Sequence, residues 1–184
     1  MSQTSVMAAL GSWFGGSPID DPAPETGVRR YSGGSIAGLG MLYTGFPERF
    51  PASDFTANQP AGAQHGAIGV LRLEDPHEVR VSLGPHGLRR ITHPVTFHLY
   101  HRSTAKHAED ARGNLRALQD EMAARLRQDP TLGGLVFAAG ESDSGPGAGE
   151  GNAFRTNVTA SSGGRHETRS DWTFTVVEYT SPEG

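Results

Sequence analysis

The chain has 184 residues, a formal net charge of −4, 35% hydrophobic residues, 25 Gly, 12 Pro and no Cys. This length suits one domain with a real core, while the acidic balance disfavours nucleic acid as the main partner and the lack of Cys excludes disulfides and thiolate chemistry. No stretch approaches the roughly 20 apolar residues that span a bilayer, and the N-terminus lacks the basic flank of a signal peptide, so a soluble protein is expected.

The N-terminal part of the chain predicts one short helix and then a loop. Residues 2–14 form the predicted helix, because four apolar residues share one face and Gly15 with Gly16 can end it. Those four residues are Val6, Leu10, Trp13 and Phe14. Residues 17–38 are rich in Pro, Gly, Ser and acids and show no period, so they predict an extended loop.

Strands are predicted in chain order from short apolar runs and from alternation of apolar and polar residues. The predicted strands cover residues 41–43, 67–73, 78–83, 91–101, 135–138, 154–159 and 172–179. Polar, Gly-rich composition predicts two further extended loops, over residues 54–66 and over most of residues 140–170.

A long helix is predicted between the third long strand and the C-terminal strands. Its apolar residues recur every three or four positions and so form one stripe. They are Ala108, Ala111, Leu115, Leu118, Met122 and Leu126. Ser103 or Thr104 is the expected N-cap, and Pro130 with Gly133–Gly134 is expected to end the helix. The predicted fold is therefore a single α+β domain over 1–184, in which a mainly antiparallel sheet is packed by one long amphipathic helix and a short N-terminal helix.

The histidines and motifs of the chain predict no catalytic centre. His98 and His101 lie three apart on a strand, so they point to opposite faces, and neither pairs with a carboxylate at ligand spacing. His-x-x-x-His, a Gly-x-Ser-x-Gly elbow and a Walker loop are absent from the sequence. The chain is therefore expected to be no enzyme, with no catalytic residue, no metal ligand and no cofactor.

Aromatic residues outside the long strands exceed what one thin core needs, and we predict that they contact other protein chains. The predicted interface comprises these residues together with two from the long strand: Trp13, Phe14, Tyr31, Phe46, Phe50, Phe55, Phe154, His98 and Tyr100.

Four segments, in this order, resemble the tail terminator proteins of long-tailed bacteriophages. They are LYTGFP at Leu42–Pro47, VTFHLY at Val95–Tyr100 before the long helix, DPTLGG at Asp129–Gly134 after it, and the final strand WTFTVVEY at Trp172–Tyr179. The resemblance covers about half the chain, and the loops are longer than in the compact members of that family.

The resemblance implies a structural virion protein, built in the host cytoplasm and placed at the junction of tail and neck. It implies a homohexameric ring that caps the tail tube, ends its polymerisation and meets the head-side connector. The implied partners are other copies of the chain, the tail tube protein and the connector or neck protein. DNA would pass through the lumen without specific binding, and no membrane is involved.

Two other functions stay open from the sequence. One is a different head–tail connector or neck protein of the same virus. The other belongs to a different class: a small-ligand-binding or hydrolytic domain that uses the strand residues His98, Tyr100 and His101. The second alternative predicts that His98→Ala folds normally but loses binding or turnover, whereas the structural function predicts a ring.

Overall fold

The computed structural model describes residues 3–19, 28–82, 87–140, 153–162 and 164–180, and within 153–162 only the side chains of Arg155 and Ala160. The described residues contain two α-helices, a short 3-10 helix and nine strands in one sheet. The helices are α1 Gln3–Gly15, the 3-10 helix Ala52–Phe55 and α2 Ala108–Gln128. The strands are β1 Gly16–Pro18, β2 Arg30–Gly33, β3 Leu39–Tyr43, β4 His65–Leu73, β5 His77–Arg80, β6 Arg89–Ser103, β7 Ala138–Gly140, β8 Ala153–Ser162 and β9 Arg165–Thr180.

Two long strands, β6 and β9, form the centre of the sheet. They pair antiparallel without a register shift over all 15 residues of β6, from Arg89 opposite Thr180 to Ser103 opposite His166. Shorter strands extend the sheet on both sides: β4 and β5 pair with one edge of β6, and β7 and β8 pair with the far edge of β9. The remaining order is β1-β2-β3-β4, in which only β3 and β4 run parallel. This confirms the predicted α+β class with a mainly antiparallel sheet.

One face of the sheet, which we call the helix-covered face, holds the main core under α1 and α2. Alternate residues of the two central strands point to this face, as the pleat of a strand requires. Trp172 lies at its centre, with ring centroids 5.7 Å from Phe14, 6.2 Å from Phe97 and 4.7 Å from Phe174. The helices contribute the predicted stripes, which are Val6, Leu10 and Phe14 from α1 and Leu115, Leu118, Met122 and Leu126 from α2.

The opposite face, which we call the open face, carries a smaller core covered by the 44–64 segment, which contains the 3-10 helix, instead of an α-helix. The buried members are Met41, Tyr43, Phe55, Ile68 and Val70, with Phe50 and Tyr100 partly buried against them. The Tyr43 hydroxyl donates a hydrogen bond to the buried carboxylate of Asp54. Gly66 allows this packing, because a Cβ at that position would lie 2.0 Å from the backbone oxygen of Phe55.

Three of the predicted loop and strand boundaries are wrong. The strand predicted at 135–138 is a turn, and β7 begins only at Ala138. The loop predicted over 140–170 contains β8 and the first residues of β9, and the loop predicted over 17–38 contains the end of β1 and all of β2. The strand predicted over 154–159 lies within β8. Polar composition hid β2 and the beginning of β9, because a neighbouring strand supplies their hydrogen bonds and burial. Residues 20–27, 83–86 and 141–152, which include the last residue of the predicted strand 78–83, lie outside the described residues.

The ends of α2 differ in part from the prediction. The N-cap is His107 without a side-chain hydrogen bond, not Ser103 or Thr104. Ser103 still ends β6, where its hydroxyl accepts a hydrogen bond from the Ala105 amide. The C-cap is Asp129, whose carboxylate accepts hydrogen bonds from the amides of Thr131 and Gly133. Hydrogen bonds from the Thr131 side chain and from these two amides lower the pKa of Asp129, although the group is exposed.

Neither of the α-helices in the described ranges is both long enough and apolar enough to cross a lipid bilayer.

Gly113 gives a direct test of the assignment of α2. It lies on the exposed side of the helix, and an added Cβ would meet no atom within 4 Å. Gly113→Ala is therefore expected to raise the free energy of unfolding by about 0.5–1 kcal/mol, through helix propensity alone. Urea unfolding of the purified variant measures this. The matched control is Gly66→Ala, which should destabilise the fold; destabilisation by Gly113→Ala would contradict an exposed helical position.

Candidate functional site

Three of the nine predicted interface residues are core residues of the subunit. Phe14, Tyr31 and Phe55 are only 1%, 2% and 6% exposed. Tyr31 fills the space beside Gly11 and Gly15 of α1, where a Cβ would come within 2.6 Å of its side chain. The subunit buries these three side chains itself, so they offer almost no surface to another chain.

The other aromatic candidates occupy different places. Trp13 is half-buried, with the Arg125 guanidinium 4.1 Å above its ring. Phe50 packs on Tyr100 and Tyr43 at the edge of the smaller core, at ring distances of 4.9 and 5.7 Å. Phe46 is 49% exposed and remains a surface residue. The side chain of Phe154 lies outside the described residues.

His98 has a carboxylate partner, which comes from the neighbouring strand and not from nearby in the sequence. Its Nδ1 lies 2.6 Å from Oδ1 of Asp171, and the Arg169 guanidinium donates to both oxygens of the same carboxylate at 3.1 and 3.3 Å. Asp171 sits opposite His98 in the β6–β9 register, so spacing along the chain could not reveal the pair. Burial of Asp171 opposes its ionisation, but hydrogen bonds and charges from His98 and Arg169 outweigh it and lower the pKa of Asp171.

The open face thus carries a continuous polar and aromatic cluster around His98. The ring of Phe46 lies 5.1 Å from the imidazole, and Arg169 stands 5.7 Å from the ring centroid of Tyr100. This cluster holds β6, β9 and the 44–50 segment together through groups that satisfy one another.

His101 points to the helix-covered face, as predicted from its spacing. It is 2% exposed, and among the described residues neither ring nitrogen has a hydrogen-bond partner. Burial, together with the nearby charge of His65, lowers its pKa from 6.5 to about 4. His98, Tyr100 and His101 therefore do not converge on one point, since the sheet separates His101 from the other two. Within the described ranges, no three His, Asp or Glu side chains are arranged to hold a metal ion.

A second surface feature was missed by the sequence analysis. The sheet continues beyond the end of β4 as an extension that we call the arm. The arm consists of β5, residues 81–82 and 87–92, and the end of β9 at 177–180. All four residues of β5 are exposed, on both faces of the strand. Alternation in residues 78–83 predicted the strand correctly, but alternation alone does not say whether an apolar face meets a core or water.

One face of the arm, which we call the apolar face, is exposed and carries large apolar side chains around a single charged residue, Arg90. Val79, Arg90 and Tyr179 stand in one cross-strand row, and Val81 lies beside Leu88, where the Val81 amide donates to the Leu88 carbonyl at 2.8 Å. The four large apolar side chains of this face are 38–52% exposed. On the opposite face, Arg89 and Glu78 form an ion pair at 2.6 Å.

A cleft of about 380 Å³ lies at the foot of the arm, between α1 and the ends of β3 and β4. Its apolar lining includes Met7, Phe46 and Leu73, and its basic lining consists of Arg29 and Arg72. The arm and the cleft are two different partly apolar surfaces on one subunit.

No protein-family model matches the sequence, and a search of curated proteins finds no match.

Proposed function

We propose that this chain is a structural protein of a bacteriophage virion, a tail terminator that assembles as a homohexameric ring. The ring caps the tail tube, ends its polymerisation and joins the tail to the head-side connector. The observation that carries the proposal is the arm, which exposes Val79, Val81, Leu88 and Tyr179 on one face. The order of the four sequence segments that resemble tail terminators supplies the identity of the partners.

Exposed apolar area of this kind favours association. Removing apolar surface from water stabilises by about 25 cal/mol per Å², and clustered exposed apolar residues mark contact surfaces on soluble proteins. The four arm residues lie on an extension of the sheet that neither α-helix covers, so folding of the subunit leaves them in water. Another chain is the natural means of covering them.

A ring needs two unlike surfaces on each subunit, and closure uses every copy of both. The apolar face of the arm and the cleft at its foot provide two such surfaces. A contact between the arm of one copy and the cleft of the next joins unlike patches, as a ring requires. The tail tube protein would then bind one end of the ring, and the connector would bind the opposite end.

The net charge of −4 suits a ring through which DNA passes, because retention of DNA depends on neutralisation of its phosphates by basic side chains. A different neck protein of the same virus would use the same arm, and only its position on the virion separates it from a terminator. The ligand-binding or hydrolytic alternative is the weaker one. Asp171 holds His98 through Nδ1 as in a general-base pair, but the imidazole is only 7% exposed, no hydroxyl of the described residues hydrogen-bonds to its Nε2, and His101 faces the other side of the sheet.

Negative-stain electron microscopy and mass measurement of the purified protein, alone and with isolated tail tubes, test the proposal. The wild-type chain is expected to form six-membered rings, free or at tube ends. Leu88→Glu/Tyr179→Glu should abolish the rings, because a charge on the apolar face would be desolvated in the contact. Thr173→Glu, an exposed position on the same sheet face but outside the arm, is the matched control and should assemble normally. Wild-type protein that binds no tube end and forms no ring at high concentration would refute the proposal.

A further inference from the structure

We propose that two copies of this chain pair antiparallel through the outer edges of β5, about a two-fold axis at Val79. Within the described ranges β5 pairs with β6 on one side, and no strand lies along its other side. An open edge of this kind accepts a further strand, and the occupant proposed here is the β5 of a second copy.

The backbone of the arm determines which residues face outward. Just beyond β5, the Val81 amide donates to the Leu88 carbonyl, so residue 81 turns its amide toward the β6 side, as a residue of a hydrogen-bonded pair does; the Leu88 amide donates to the Ser82 hydroxyl. Since such pairs alternate along an antiparallel ladder, residue 79 also turns its backbone groups toward β6. Residues 78 and 80 then turn theirs toward the open edge. An added strand must therefore form its hydrogen bonds at Glu78 and Arg80.

Three antiparallel registers between two copies join these outward positions, and the charges distinguish them. A register centred on residue 78 places Glu78 opposite the second Glu78, and one centred on residue 80 places Arg80 opposite the second Arg80. Like charges directly opposite each other destabilise a strand pair. The register centred on Val79 instead places each Glu78 opposite an Arg80, twice by symmetry, so β5 is complementary to itself in this register alone.

The remaining positions agree with this register. Val79 meets the second copy's Val79 at a pair without hydrogen bonds, where the two backbones come closest. Val81 lies opposite the second copy's His77, and all four residues of β5 are exposed in the single subunit. Charged residues usually protect an open edge from other strands. Here Glu78 and Arg80 discourage most strands but match those of an identical copy.

This pairing is distinct from the ring contact of the proposed function. It uses the backbone edge of β5, whereas the ring uses the apolar face of the arm. A two-fold contact joins identical residues, while a ring contact joins unlike patches, so a ring contact alone does not place two copies of residue 79 side by side. The β5–β5 pairing would occupy the open edge of β5 in free subunits before the ring assembles.

A single-cysteine cross-link tests the register, since the natural chain has no Cys. In the proposed pair the two Cα atoms of residue 79 are about 4.5 Å apart, within the range that a disulfide spans. Val79→Cys should therefore form a covalent dimer under mild oxidation. The control is Val81→Cys, because Val81 is 52% exposed and Val79 is 49% exposed. In the proposed pair the two Cα atoms of residue 81 would be about 13 Å apart. It should cross-link at least tenfold more slowly. Equal cross-linking of both variants, or none of Val79→Cys, overturns the proposal.

A charge exchange tests the specificity of the pair. Arg80→Glu places Glu opposite Glu, and Glu78→Arg places Arg opposite Arg, so each variant alone should raise the dimer dissociation constant about tenfold. A mixture of the two variants restores opposite charges at both positions and should form heterodimers as readily as the wild type dimerises. Sedimentation velocity of the separate and mixed proteins measures this. A mixture that dimerises no better than its components overturns the proposal. Ring formation is tested separately with Leu88→Glu/Tyr179→Glu, so either proposal can fail while the other holds.

Discussion

Trp172→Ala is expected to lower the free energy of unfolding by about 3–5 kcal/mol, the usual cost of removing a large aromatic side chain from a core. Trp172 is fully buried at the centre of the helix-covered face, where its ring contacts Phe14, Phe97 and Phe174. These partners come from α1, β6 and β9, so the substitution opens a cavity at the point where three elements meet. The neighbouring elements cannot collapse into it without breaking other contacts.

Urea unfolding followed by circular dichroism measures the loss, and Thr173→Ala is the control. Thr173 is the next residue on β9 and is exposed on the open face, so its truncation should change the free energy of unfolding by less than about 0.5 kcal/mol. If the two variants were equally stable, the assignment of alternate β9 residues to opposite faces would be wrong.

The stability of the protein is expected to fall between pH 6.5 and pH 4 because of His101. The pKa of His101 is about 4 in the folded chain, against 6.5 without burial. The unfolded chain therefore takes up a proton as the pH falls through 6.5, while the folded chain resists it until about pH 4. The stability that the neutral, buried imidazole retains above pH 6.5 is lost in this window, by about 2 kcal/mol between pH 7 and pH 4.5.

The variant His101→Leu isolates this contribution. Leucine does not titrate, so the drop in unfolding free energy between pH 7 and pH 4.5 should be about 2 kcal/mol smaller than in the wild type. Thr173→Ala, at an exposed position whose side chain does not titrate, should keep the wild-type pH dependence. Identical pH profiles for the wild type and His101→Leu would show that His101 titrates normally in the folded protein.

Periodicity predicted the elements that contribute most of the core. The stripe of α2 and the alternation of β6 and β9 are local patterns, since each element must bury one side. The strand β2 was missed because its residues are mostly polar or small, and pairing with β3 places it in the sheet. The ends of β8 beyond the predicted 154–159 are likewise defined by pairing with β9. The turn at 135–137 was predicted as a strand because an apolar run alone does not define backbone conformation.

The candidate site was less accessible to sequence analysis than the fold. His98 and Asp171 are brought together only by the β6–β9 register, across 73 residues of chain. Several aromatic residues were assigned to an interface because no local pattern shows that α1 covers Phe14 or that Gly11 and Gly15 make room for Tyr31. The arm was missed for the opposite reason, since Val79 and Val81 alternate as core residues do but extend beyond the helices.

The unbroken pairing of β6 with β9 gives the subunit mechanical stiffness along its length. Fifteen residues of antiparallel ladder span about 50 Å, and the arm is made from the same two strands as the core. Bending between them would break several consecutive hydrogen bonds at once. A neighbouring protein that binds one end of this strand pair therefore also fixes the orientation of the other end. The orientation of the core and the orientation of the arm are thus coupled through the two strands.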